Sequence, residues 1–212
     1  MANPEYQKKY GMQVIEAPLL QQHSSVRSDS IRERWDICVG TDAMPRVDWI
    51  RSYMFAWAIQ SFHSFGLLQD IACHFHDVDG VGYREFYETV LFFAMCWPET
   101  VLGSEYERTL AVVERGVAGG EWGESDARFG PVVWPTEELT FLNIVAGDLG
   151  QFYFELRDWL RVRWGLRAEW VLAKQQASIR TPAEFGGDLE EFAKQAVWYS
   201  RKKLLRKKDE AA

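Results

Sequence analysis

The sequence predicts a mainly α protein: an irregular multi-helix domain with little or no β structure. Three observations carry that expectation. Apolar residues recur at steps of three and four through most of the chain, which is the helical period. Glycine and proline gather at the ends of those stretches, where helices start and stop. The chain is 47% hydrophobic over 212 residues, with 13 Phe, 10 Trp and 8 Tyr, so it has the side chains to fill a sizeable core.

The first 40 residues read as an extended or irregular lead-in, and residues 41–212 as a helical domain. In the lead-in, Pro4, Gly11 and Pro18 break any period, and QQHSSVRSDS is polar and Ser-rich. The segment from Arg34 to Gly40, with Ile37 and Val39 around Cys38, reads as a short strand or an extended entry.

Pro45 sits where a helix can begin, because its fixed φ suits the first turn and its missing N–H has no partner to lose there. From Arg46 to about Phe65, Trp49, Ile50, Tyr53, Met54, Trp57 and Ala58 keep helical steps, and Gly66 ends the run. A shorter helix follows over Leu67 to His76, before the turn Asp77 to Gly80. A third is expected over Tyr83 to Trp97. Pro98 opens a fourth, closed by Gly119 and Gly120.

After a polar loop, Val132 and Val133 read as extended, with Thr136 as a helix cap. Residues 148–178 hold at least one more helix, with Phe152, Leu156, Trp159 and Leu160 in register. The last helix follows the breaker TPAEFGGD, with Leu189, Phe192, Val197 and Leu204 as its apolar markers.

Composition excludes several function classes. The tail Arg201 to Glu210 holds six basic and two acidic residues, leaving 18 basic against 29 acidic elsewhere, a balance of −11. An acidic body of this kind does not seek nucleic acid. No apolar run approaches the ~20 residues of a membrane span. The N-terminus lacks the basic and apolar regions of a signal peptide, so a cytoplasmic location is expected. Cys38, Cys73 and Cys96 are odd in number and read as reduced, buried thiols.

Asp70, Cys73, His74 and His76 are crowded in sequence, but on a helix Asp70 and His74 share one face while Cys73 and His76 share another. Four ligands do not converge there, and no metal is expected. No glycine-rich phosphate cradle is present. Glu137 and Glu138 are neighbours that diverge on a helix and suit its positive end. The remaining candidate is a wall on the first long helix, Trp49, Tyr53, Trp57, Gln60 and His63, where an amide and an imidazole stand among aromatic rings and could face a substrate or a partner.

Four strings carry a family resemblance. ANPEYQKKYGMQVIEAPLL, WDICVGTDAMPRVDWIRSYMFAWAIQSFHSFGLLQDIA, GYREFYETVL and FAKQAVWYSRKKL together resemble the region beyond the catalytic barrel in cobalamin-binding radical S-adenosylmethionine proteins. The resemblance implies a C-terminal helical accessory domain that packs on the barrel and helps enclose substrate. It implies as partners a radical SAM barrel and a cobalamin domain, in cis or in trans, and a lead-in that follows the barrel.

The full-length family uses a [4Fe–4S] cluster on a CxxxCxxC motif, S-adenosylmethionine and cobalamin. No CxxxCxxC occurs in these 212 residues. No cofactor is therefore expected in this chain, no catalytic residue carries over, and Met1 is expected to be internal to a longer or split protein. The competing expectation, from the residues alone, is a free-standing helical interaction or small-ligand-binding module.

Overall fold

The computed structural model describes residues 3–19, 22–24, 33–165 and 168–196. Val197, Leu204 and the basic tail lie outside the described residues. The architecture is mainly α, with two small antiparallel strand pairs.

The described part of the lead-in holds more regular structure than its breakers suggest. Helix α1 spans Pro4–Lys9, capped by the Asn3 side chain accepting from the Glu5 N–H. Strand β1 (Val14–Pro18) pairs antiparallel with β2 (Arg34–Cys38), in a register that sets Val14 opposite Cys38 and Pro18 opposite Arg34. The strand expected near Arg34 is present. Its partner was hidden because Pro18, which reads as a breaker, closes an edge strand where no ladder donor is needed. Ala17 and Val39 are fully buried and tie this pair to the main core.

Helix α2 (Arg46–Ala58) is the centre of the body and begins after Pro45, as expected. It runs into a wide i→i+5 turn over Ile59–Ser64, and Gly66 at φ +86° then turns the chain. Helix α3 (Gln69–Asp79) extends past His76 to a left-handed Gly80. Helix α4 spans Tyr83–Cys96.

The fourth long helix does not start at Pro98. α5 runs Val101–Val117, because the Thr100 hydroxyl accepts from the Gly103 N–H and fixes the cap there. Gly103 is obligatory at that turn: a Cβ would lie 2.1 Å from the Trp97 carbonyl oxygen.

Strands β3 (Glu124–Ser125) and β4 (Val133–Trp134) pair, and α6 (Thr136–Ala146) follows with Pro135, not Thr136, at the cap position. The region 148–178 contains two helices, α7 (Leu149–Trp164) and α8 (Ala168–Ser178). Residues 189–196 form α9 and bury Phe192 against the core.

The body packs α2 and its wide turn against α3, α4, α5 and α6, with α7 against α5 and α6, and α8 against α3 and α7. Its core is aromatic: Trp57, Phe62, Phe75, Phe86, Phe129 and Phe152 are each under 2% exposed. At ~150–250 Å² of contact area per ring, these residues dominate the burial. Among the described residues no helix is long and apolar enough to cross a membrane.

Candidate functional site

The wall residues on α2 do not all face the same way. Tyr53, Trp57 and Gln60 line a cavity of about 110 Å³, closed by Trp122 from the loop after α5 and by Thr136 and Glu137 at the start of α6. Gln22 completes the rim. Trp49 backs this cavity, with its ring 5.7 Å from that of Tyr53 and 5.7 Å from that of Trp122.

His63 lies elsewhere. Its Nδ1 shares a 2.9 Å hydrogen bond with the Tyr87 hydroxyl, and its ring meets Tyr83 and Tyr87 edge-on. Gln60 and His63 would be near neighbours on an α-helix at spacing i,i+3. The wide turn over Ile59–Ser64 takes more residues per turn and rotates the two apart.

Each cavity group is held by packing from a different element. The Trp57 indole, 1% exposed, donates to the Thr140 hydroxyl on α6 at 3.0 Å. Thr140 also accepts from Arg108 of α5 at 2.9 Å, and Arg108 in turn pairs with Glu105 and Glu124. Asn143 donates to Glu105 at 2.9 Å and closes the network between α5 and α6. Trp122 seats its ring on Gly116, where a Cβ would lie 2.6 Å from ring carbons. Its indole N–H is buried and, among the described residues, has no hydrogen-bond partner.

The adjacent carboxylates diverge as their spacing requires. Glu138 is buried and pairs with the His23 imidazole, which holds residues 22–24 against β4 together with the His23 N–H donating to the Val133 carbonyl. Glu137 is half-buried and reaches the cavity. Burial pushes its carboxyl above the ordinary range and the Glu138 charge adds to this, while its own backbone N–H, the Thr136 hydroxyl and His23 oppose. Burial also raises the Tyr53 phenol, which the Thr136 hydroxyl partly offsets.

The residues weighed for a metal occupy separate surroundings. The Asp70 N–H donates to Gln175, Cys73 Sγ accepts from the Tyr83 hydroxyl at 3.7 Å, His74 packs against Phe75 and Trp170, and His76 stacks on Tyr83. Among the described residues no three His, Cys, Asp or Glu side chains gather as a metal set. The cysteines are all free thiols, but none is fully buried and Cys96 is exposed, because it sits on the outward face at the end of α4.

Sequence reasoning missed Gln22 and Trp122 as cavity residues and read Thr136 and Glu137 only as helix-start groups. The available signal was two adjacent glutamates in one first turn, which must point in different directions.

No protein-family model matches the chain. Over 105 residues, 50% of this chain, it is 29% identical to the cobalamin-dependent radical SAM methyltransferase TokK of Streptomyces tokunonensis, a stretch covering 15% of that protein. Over 170 residues, 74% of this chain, it is 27% identical to the 2-(S-pantetheinyl)-carbapenam-3-carboxylate methyltransferase of Streptantibioticus cattleyicolor, covering 25% of it. The chain is thus distantly similar, over part of its length, to methyltransferases of the cobalamin radical SAM kind. It spans at most about a quarter of their length.

Proposed function

We propose that this chain is the C-terminal helical accessory domain of a cobalamin-binding radical SAM enzyme, with residues 1–40 leading in from the barrel and 41–212 forming the helical body. It packs on the barrel, helps enclose substrate and performs no chemical step alone. The observation that carries this reading is the 29% identity, across half the chain, to a cobalamin-dependent radical SAM methyltransferase.

The cysteine spacing fits it, since Cys38, Cys73 and Cys96 cannot form CxxxCxxC and any cluster must be held by other residues. In this reading the barrel and cobalamin domain hold the cluster, S-adenosylmethionine and cobalamin, and the assembly is cytoplasmic. The lead-in offers a docking face: Tyr6, Tyr10 and Met12 line an open hollow of about 730 Å³, with Tyr6 57% exposed.

The test starts with the DNA upstream of the Met1 codon, where an in-frame or adjacent reading frame encoding CxxxCxxC is expected. The two products are then expressed together, and co-elution on size exclusion is expected. A clean promoter with no such frame nearby, or two products that elute apart, sinks the reading. The alternative, a free-standing helical interaction or small-ligand module, draws on one observation: residues of α2, α6 and the loop after α5 line a cavity.

A further inference from the structure

The walls of the cavity between α2, α6 and Trp122 favour one kind of guest. Three aromatic side chains, Tyr53, Trp57 and Trp122, line it, and an aromatic ring face carries the negative lobe of the quadrupole. Glu137 adds a carboxyl group. That carboxyl meets the Thr136 hydroxyl at 3.3 Å and, among the described residues, forms no ion pair. Its charged form is disfavoured by burial and by Glu138, so a cation entering the cavity would stabilise a carboxylate that no described residue ion-pairs.

Gln60, exposed on the rim, offers an amide oxygen with no hydrogen bond to a described residue. The Trp122 indole N–H, on a side chain 7% exposed in the same wall, has no acceptor among the described residues. An anion would meet the Glu137 carboxyl and no cationic side chain in the lining. At about 110 Å³ the cavity accommodates a head group of a few heavy atoms.

We propose that this cavity binds a small organic ammonium group, primary or methylated, seated against Tyr53, Trp57 and Trp122 with the Glu137 carboxylate as its counter-ion. Gln60 accepts from an N–H of a primary ammonium, and a hydroxyl near the nitrogen gives the Trp122 indole N–H an acceptor. The residues named all belong to this chain, so the proposal is tested separately from the accessory-domain reading.

The test titrates the purified full chain with choline and with ethanolamine, against 3,3-dimethylbutan-1-ol as the neutral isostere of choline. Binding is read by calorimetry and by the indole N–H resonances in a ¹⁵N spectrum. Saturable binding of at least one ammonium is expected, with the Trp57 and Trp122 resonances shifting and the alcohol weaker by about tenfold or more. Glu137→Gln is expected to lose about tenfold or more, and His63→Ala to bind as the parent does.

Should Glu137→Gln not fold, Gln60→Ala, changed only on the exposed rim, takes its place and is expected to weaken ethanolamine by about threefold or more. No saturation by either ammonium, equal binding of the alcohol, or unchanged affinity in the folded variant overturns the proposal. None of these results bears on the upstream reading frame, and the absence of that frame does not bear on this titration.

Discussion

The side-chain oxygen of Gln175 on α8 accepts a hydrogen bond at 2.6 Å from the backbone N–H of Asp70, in the first turn of α3. The same amide donates to the Gly66 carbonyl at 2.6 Å, and Gln175 is only 2% exposed. Leu68, at the cap of α3, has no side chain able to do this, so a residue 105 positions away from Asp70 satisfies the helix start. Replacing Gln175 by Ala leaves two sheltered backbone groups without partners, and a loss of about 2 kcal/mol or more is expected in urea unfolding. Gln175→Glu keeps the acceptor but loses the donor to Gly66, and it should not restore the parent midpoint.

Glu137 makes stability depend on pH in a direction opposite to most carboxylates. Burial holds its folded pKa above the ordinary 4.5, so the folded protein binds this proton more tightly than the unfolded chain does. Its contribution is full below 4.5 and is lost as pH rises through the raised value. Glu137→Gln removes that loss, so the melting temperature of the variant minus that of the parent should grow from about pH 4.5 to about pH 7. A difference that stays flat across this window contradicts the burial of Glu137. The Arg128 hydrogen bond holds Asp126 below 3.8, so Asp126 loses its contribution only on going more acid than this range.

Two glycines in helices should answer Ala substitution with opposite signs. At Gly116 in α5, a Cβ would sit 2.6 Å from the Trp122 ring, and relieving that overlap costs about 1–3 kcal/mol, more than the helix propensity gained. At Gly150 in α7, the nearest atom to a Cβ is 3.9 Å away, so Ala should stabilise by about 0.5–1 kcal/mol. Thermal melts of both variants, with tryptophan emission followed for Gly116→Ala, check the pair.

Gln60 and His63 face different surroundings, one the cavity rim and the other Tyr87. The stability effects of Gln60→Ala and His63→Ala should therefore add to within about 0.3–0.5 kcal/mol in a double-mutant cycle. Strong coupling would show that the two act as one site.

Much of the helical plan was legible in the sequence because it rests on local signals. The steps of three and four from Trp49 to Ala58, the start at Pro45 and the turn at Gly66 place α2 without reference to anything distant. The pairing of β1 with β2 was not legible, since it joins residues on either side of a polar, Ser-rich stretch and Pro18 looks like a breaker. The start of α5 was missed because a threonine cap at Thr100 outweighed the signal of Pro98.

The sequence by itself determined the mainly α class, the start of α2 and its aromatic character, because helical period and side-chain bulk are properties of neighbouring residues. Only the tertiary structure decided what that helix faces. The wide turn over Ile59–Ser64 has no local sequence signature, yet it turns Gln60 and His63 in different directions. The cavity exists because Trp122, Glu137 and Gln22 arrive from three other parts of the chain. Such convergence is set by how whole helices pack, and no spacing within one helix encodes it.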